Sequence, residues 1–354
     1  MLIGVFITRI LFGKTIANSI VEEASFQAAE IHTLEKAKKE MNLRKWNMIV
    51  YIPSTFTKDL QTKGTSNIKY YINQSSPTLS KQIMESAATA ITSKINKEMY
   101  TVIQKQINEQ LPKEVAIQTP NQEIAEQLAK KIVEEMQGAL QINPVTMSII
   151  KTNDVKGFAA TMIPLLMILA SFVGAMIMSQ QLQFATQKLL TLYNKWMLFF
   201  AKQMINLLLS LTLALLTLGL MALYKMDMQT SLLTVWLFQS LLFFSFLCFT
   251  QVFVILFGNP GMIFNIIAMA TQLVSSGTIV PREMLSSFYW KIGSFLPATY
   301  GANGYFSLIY GGGDLAADAK SLMMLVGAAI LIAVGRVTFS PSVIKTDRKA
   351  ETHM

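Results

Sequence analysis

GFAATMIPLLMILASFVGAMIM, Gly157–Met178, runs for 22 residues without a charge. A helix of that length rises about 33 Å at 1.5 Å per residue. That matches the roughly 30 Å of hydrocarbon in a bilayer, where the backbone must satisfy its own hydrogen bonds. Four more stretches read the same way: about Met197–Leu223, about Leu232–Leu256, Gly261–Val280, and about Leu322–Phe339, the last carrying Arg336 near its end. Five spans in one chain set the fold class as a polytopic α-helical membrane domain.

The surrounding composition agrees. The 354 residues are 52% hydrophobic and only 14% charged, with a mean hydropathy of +0.41, whereas soluble domains carry about 25% charged residues. The deficit is confined to one half. Residues 1–156 are about 22% charged and residues 157–335 about 6%, so a water-facing domain precedes a lipid-facing one. The reading is therefore an extracytoplasmic domain over 1–156, a transmembrane domain over 157–340 and a cytoplasmic tail over 341–354.

Several function classes fall away. The single Cys248 sits in an apolar run and reads as a buried thiol, and His32 and His353 are too few for a histidine metal site, so no metal and no cofactor is expected. The net charge of +9 is scattered, and in the first half basic residues alternate with acids, as in Lys36-Ala37-Lys38-Lys39-Glu40. This is a solvated face and not a nucleic-acid surface. Gly13-Lys14-Thr15 resembles the end of a phosphate-binding loop, but Thr8 stands where that loop needs glycine. With no nucleophile elbow, no H-E-x-x-H and no paired carboxylates in the spans, no catalytic residue is expected and the chain does not read as an enzyme.

Orientation follows from Lys and Arg beside the spans. With the first domain outside, the inner flanks hold Lys188, Lys195, Arg336, Lys345, Arg348 and Lys349, and the outer ones Lys225, Arg282, Lys291 and Lys320. Lys202, near the start of the second span, reads as an anchor reaching the headgroups. Ala170 with Gly174 and Ala329 with Ala333 have the spacing that lets helix backbones approach closely. Eight aromatics within Pro281–Leu315 suggest short amphipathic helices at the outer surface or dipping partway in, ended by Gly311-Gly312-Gly313.

In the first half, Met48–Ile52, Ile68–Ile72 and Val145–Ile150 read as strands. Ser76-Pro77 starts a helix to about Leu111, stopped by Pro112, and Asn121 caps another to about Leu140. The expectation is an α/β domain with two long helices. Their apolar residues recur every four positions, Leu79, Ile83, Ala87, Ile91, Ile95 and Met99 and onward. Each step turns the stripe about 40° around the helix, so its contact must wrap in the right-handed sense. Packing within the chain or a dimer is favoured over a partner groove.

IPSTFTKDL, Ile52–Leu60, resembles the strand–helix element of type-2 ABC exporter permeases, with Ile52, Pro53 and Phe56 at its motif positions. Gln272–Gly304 resembles the C-terminal region of the phage infection protein (YhgE/Pip) branch, through Ser276, Gly277, Pro281, Phe288, Pro297 and Tyr300. The resemblance implies a permease subunit exporting a hydrophobic or amphipathic substrate, working as a homodimer or heterodimer in the lipid bilayer. It also implies a separate ATPase at the cytoplasmic loop Ser179–Lys195. Six spans are expected in that family, the first ahead of the outer domain. The opening MLIGVFITRILFGKT holds an apolar run of about 12 residues, too short to span, so the chain reads as shortened at its N-terminus. The second reading is a non-transporting surface receptor of the phage-adsorption type, or a secretion scaffold.

Overall fold

The computed structural model describes residues 2–7, 27–31, 33–118, 131, 143–155, 158–223 and 229–339. Gly13-Lys14-Thr15, nearly all of the expected Asn121–Leu140 helix and the C-terminal tail lie outside the described residues. Contacts divide the chain into two compact units, Met1–Asn73 with Lys81–Thr152, and Gln74–Ser80 with Asn153–Met354.

The first unit is built on a five-stranded sheet, order β2-β1-β3-β4-β5, of β1 (Leu2–Ile7), β2 (Gln27–Glu30), β3 (Met48–Ile52), β4 (Ser66–Asn73) and β5 (Val145–Thr152). Only the β3–β4 pair is antiparallel. The apolar N-terminal run supplies β1, an inner strand between β2 and β3. Alternate residues of the strands sort into two cores, because side chains alternate across a pleated strand. Met48, Val50 and Ile52 of β3 and Ile68, Tyr70 and Ile72 of β4 pack with Met84, Ala88 and Ile95 of α3 (Thr78–Gln118). Ile49 and Tyr71 pack with Ala37 and Met41 of α1 (Leu34–Asn42). A sheet covered on both faces explains strands that read as unbroken apolar runs.

Helix α3 corrects the expected ending, since it continues through Pro112 to Gln118. The proline costs one hydrogen bond at one turn, while the Lys113-Glu114-Val115-Ala116 that follows holds good helix formers. The four-residue step is present: Ile95 of the expected stripe is buried, and the other buried positions lie one residue along from it, at Met84, Ala88, Thr92 and Asn96. Leu79 is exposed, and Ile83, Ala87 and Ile91 flank the contact. Two polar residues are among the buried ones because they bond the sheet: Thr92 Oγ1 lies 2.9 Å from the Tyr70 hydroxyl, and Asn96 clamps Val145 through both its N–H and its carbonyl.

Burial pushes the Tyr70 hydroxyl up to about 12, against the pull of its bond to Thr92. Between pH 10 and 12 the folded chain therefore holds a proton that the unfolded chain has released. The corresponding stability is complete below about pH 10 and is lost as pH rises through 12. Thermal melts should show this alkaline limb in the native chain and a flatter one in Tyr70→Phe.

In the second unit, four helices are long and apolar enough to cross a membrane: α4 (Phe158–Leu189, its apolar part from Met162), α5 (Lys195–Leu223), α6 (Leu232–Phe257) and α10 (Leu315–Phe339). The remaining helices are α7 (Gly261–Ser275), α8 (Ser287–Gly293) and α9 (Pro297–Tyr310). α6 is the hub. More than half of its most apolar stretch is buried, against about a fifth of those of α5 and α10, and Phe238, Leu242, Phe246 and Leu247 anchor the core.

The expected span Gly261–Val280 is corrected. Its helix stops at Ser275 after 15 residues, about 22 Å long. Gly277, at φ +83°, and Pro281 in the following stretch do not favour helix continuation. α9 begins where α7 ends, and the two short helices lie end to end along α6. Asn265 of α7 donates to the Thr250 carbonyl and Gly261 abuts the Phe253 carbonyl. Further along α6, Gly301 of α9 sits on Leu242 and Gly304 on Phe238. Of the 14 residues of α9, 12 are buried, whereas Phe288, Tyr289 and Trp290 of α8 are exposed. The aromatic segment thus splits into an exposed short helix and a fully packed one. The left-handed run Gly311-Gly312-Gly313 follows α9.

The loop Ser179–Lys195 is also shorter than expected. α4 runs on unbroken to Leu189, so only residues 190–194 turn the chain. The Gln- and Lys-bearing residues from Gln180 onward prolong the helix instead of forming a separate one.

Candidate functional site

A chain this apolar advertises its site by what is polar and buried inside it. α6 carries Gln239, Ser245, Thr250 and Gln251 to the interior. Gln239, Thr250 and Gln251 each draw a partner from a neighbouring helix. Thr217 of α5 donates to Gln239 Oε1 (3.0 Å). Asn206 and Gln203 of α5 both donate to Gln251 Oε1 (2.7 and 3.2 Å). Ser179 of α4 meets the Thr250 hydroxyl at 2.7 Å. The result is a seam of amides and hydroxyls with no charge in it. Beside it, Met167, Ser171, Gly174 and Met178 of α4, Leu209 and Leu213 of α5 and Leu247 of α6 line an apolar cavity of about 350 Å³.

Two of the small-residue pairs therefore do different things. Ala170 and Gly174 open onto this cavity, while Ala329 packs against Cys248 and Val252 of α6 and Ala333 is buried. Cys248 is buried and free.

The motif residues fall into two groups, one in each unit. Ile52 ends β3 and Phe56 opens α2 (Phe56–Lys63), both fully buried in the sheet core. The Pro53 carbonyl between them accepts from Phe56 N (3.0 Å). These three hold a corner of the sheet unit and line no cavity described here. Ser276, Gly277, Pro281, Pro297 and Tyr300 gather where α7 breaks off and α9 begins. Ser276 Oγ lies 2.9 Å from the Thr278 hydroxyl, and a side chain on Gly277 would meet Arg282 Cγ at 3.0 Å. The Arg282 guanidinium donates to the Trp290 carbonyl and to Ser294 Oγ, and the Tyr300 hydroxyl donates to the Ser294 carbonyl (2.8 Å). Pro297 occupies the first turn of α9, where a missing N–H costs nothing, and Gln272 of α7 caps the next amide, Ala298 N (3.1 Å).

The polar seam went unremarked in the sequence, although Asn206, Gln239, Gln251, Asn265 and Gln272 were visible there as lone amides in apolar runs. Lys202 is likewise not the outward anchor expected of it. It is 7% exposed and turns towards α4, donating to Gln183 Oε1 (3.2 Å). Among the described residues no group of His, Cys, Asp and Glu could hold a metal ion.

Charge is distributed unevenly over this unit. The ends of α4 and α10 and the start of α5 bring Lys188, Lys195, Lys202 and Arg336 to one end, where Lys195 Nζ donates to the Thr338 carbonyl (3.1 Å). No carboxylate accompanies them among the described residues. Among the described residues of 158–339 the other charges are Arg282, Lys291 and Lys320 against Glu283, Asp314 and Asp318, and they balance.

Comparison with known proteins agrees with this architecture. A 107-residue stretch is 30% identical to the uncharacterized protein YhgE of Bacillus subtilis (strain 168), covering 30% of this chain and 14% of that protein. The match therefore spans about one seventh of that relative's length. No solved structure matches. The family model described as ABC-2 family transporter protein matches residues 11–335, nearly the whole chain including all the apolar helices, and the chain belongs to that family of multi-pass membrane transporter components.

Proposed function

We propose that the chain is the permease subunit of a type-2 ABC exporter, moving a hydrophobic or amphipathic substrate under the drive of a separate ATPase. The observation that carries this is the uncharged polar seam on α6 beside an apolar cavity. Such a wall offers hydrogen bonds and apolar contact together and no fixed charge, which suits cargo that is neither ionic nor fully polar. A homodimer or heterodimer would close the path.

The cation-rich end is the cytoplasmic one by the excess of Lys and Arg. α7 and α9 count together as a fifth crossing. That puts residues 1–156, joined to the far end of α4, outside, and the 341–354 tail inside, with 157–340 as the membrane domain. Ser276, Gly277, Pro281, Pro297 and Tyr300 shape the break in the fifth crossing, while Ile52, Pro53 and Phe56 brace the outer unit.

The ATPase would dock on the tip of the α4–α5 hairpin, where Leu189, Leu192 and Tyr193 are exposed. In native membranes a photo-crosslinker at position 192 should capture a nucleotide-binding ATPase. Leu192→Glu should abolish substrate-stimulated ATPase activity of the reconstituted pair while leaving the melting temperature unchanged. Full activity with that substitution would overturn the docking assignment. A surface function that survives removal of residues 189–193 would favour the receptor reading.

A further inference from the structure

We propose that the outer edge of β5 pairs with β5 of a second copy of the chain, antiparallel about a two-fold axis through Ile149, so that the two sheet units share one continuous sheet. β5 ends the strand order, and among the described residues no strand lies on its outer side. The Pro144 carbonyl accepts from Ser66 N, and Val145 stands opposite Ser66 in a parallel register that runs unbroken to Thr152. Backbone groups alternate in direction along a strand. The even-numbered residues of β5 therefore bond β4, and the odd-numbered ones point outward. Asn96 takes both outward groups of Val145. Those of Met147, Ile149 and Lys151 have no partner among the described residues.

Natural sheets blunt such an edge with proline, a bulge, a very short strand or repeated lysines. β5 has 8 residues, no proline and one charge, and that charge, Lys151, is drawn to Glu85 of α3 at 3.0 Å. Met147 is exposed and Ile149 and Ile150 are half-buried, so both faces carry apolar surface out to the rim. The open residues also choose the register. A two-fold through Ile149 sets Ile149 against its own copy and Met147 against the partner's Lys151. All three open residues of each chain then sit in hydrogen-bonded pairs, each exchanging two N–H···O bonds. An axis through Ser148 would call on Val145, which Asn96 already holds, and one through Ile150 would leave Met147 without a strand partner. In the chosen register no lysine faces a lysine, which like charges would oppose. A two-fold contact uses one patch twice and stops at a dimer. β5 lies five residues of chain from the apolar α4, and holding both copies in one membrane raises the effective concentration that so small a contact needs.

The pairing rests on the homodimer of the proposed function but needs neither transport nor the ATPase, so exporter activity without a β5 link would sink this contact alone. Full-length chains carrying Ser148→Cys and Ile150→Cys are co-expressed, and native membranes are oxidised with copper phenanthroline. In this register the two positions face one another as a non-hydrogen-bonded pair about 4.5 Å apart at Cα, within the roughly 4.4–6.8 Å that a disulfide spans. The mixed chains should give a covalent dimer at least fivefold over either chain alone, and the native chain, whose Cys248 is buried, should give none. Met147→Lys in both chains, at an exposed position, should cut that yield at least fivefold by facing the partner's Lys151, and Met147→Glu should preserve it. A link from Ser148→Cys alone as strong as from the mixture overturns the register, as does a yield indifferent to Met147→Lys. No link in chains that melt like the native one overturns the second copy as occupant, whether the amides of 147, 149 and 151 exchange fast, as on an open edge, or slowly, as under another strand.

Discussion

Gly261→Ala should destabilise the apolar unit by about 3 kcal/mol or more, at the upper end of what overpacking costs. A Cβ there would stand 2.3 Å from the Phe253 carbonyl oxygen and 2.8 Å from Val254 Cα. Both are backbone atoms of α6, so no rotamer change relieves the clash. α7 must lift away from α6, and that strains the Asn265 bond to the Thr250 carbonyl. In detergent the variant should melt several degrees below the native chain and bind more of a dye that reports exposed apolar surface. Gly174→Ala is the matched control, since its new methyl meets nothing within 4 Å and should leave the melt unchanged. If both substitutions behaved alike, the close approach of α7 to α6 would be wrong.

Asn96→Ala should cost the sheet unit about 2–4 kcal/mol. The amide of Asn96 donates to the Val145 carbonyl and accepts from Val145 N, at 2.9 and 2.8 Å. Its removal leaves a donor and an acceptor of a buried residue without partners, each worth about 1–3 kcal/mol. Val145 is the first residue of β5, opposite Ser66, so the loss falls where the last strand joins the sheet. Backbone hydrogen exchange across 145–152 should accelerate before that of β3. Asn96→Asp turns a carboxylate oxygen onto the Val145 carbonyl and buries a charge, so it should not rescue the clamp. Exchange in β5 that stayed at the native rate in Asn96→Ala would show that the clamp does not hold the strand.

The apolar helices were legible because lipid demands twenty apolar residues in a row and nothing else in a protein does. The same rule misread Gly261–Val280. Composition records that a stretch is apolar, while the helix end is set locally by Gly277 and Pro281 and tertiarily by α9 continuing along α6. β3 was placed to the residue and β4 and β5 to within two, since β-branched and aromatic residues crowd there. β1 was missed because LIGVFI was weighed only as a failed span, and its strand partners, β2 and β3, are remote in sequence. For α3 the four-residue period was correct and its apolar stripe reaches the core at Ile95, yet most of the fully buried positions lie one residue along from it. Hydrophobicity alone could not reveal that Thr92 and Asn96 face inward, because their burial depends on hydrogen bonds to Tyr70 and Val145. The seam on α6 was hidden for the same reason. An amide in an apolar run is legible as unusual, but its partner on another helix is not.

α4 is one uninterrupted helix from Phe158 to Leu189, about 48 Å of hydrogen-bonded backbone. Such a rod does not stretch, so it works as a lever. An axial push at the hairpin turn is carried by this backbone towards Phe158, five residues of chain from the end of β5. The one point of give is Pro164, whose missing N–H frees a carbonyl in the preceding turn. An axial push on this helix is thus carried along its length, with a joint built in near its first turns.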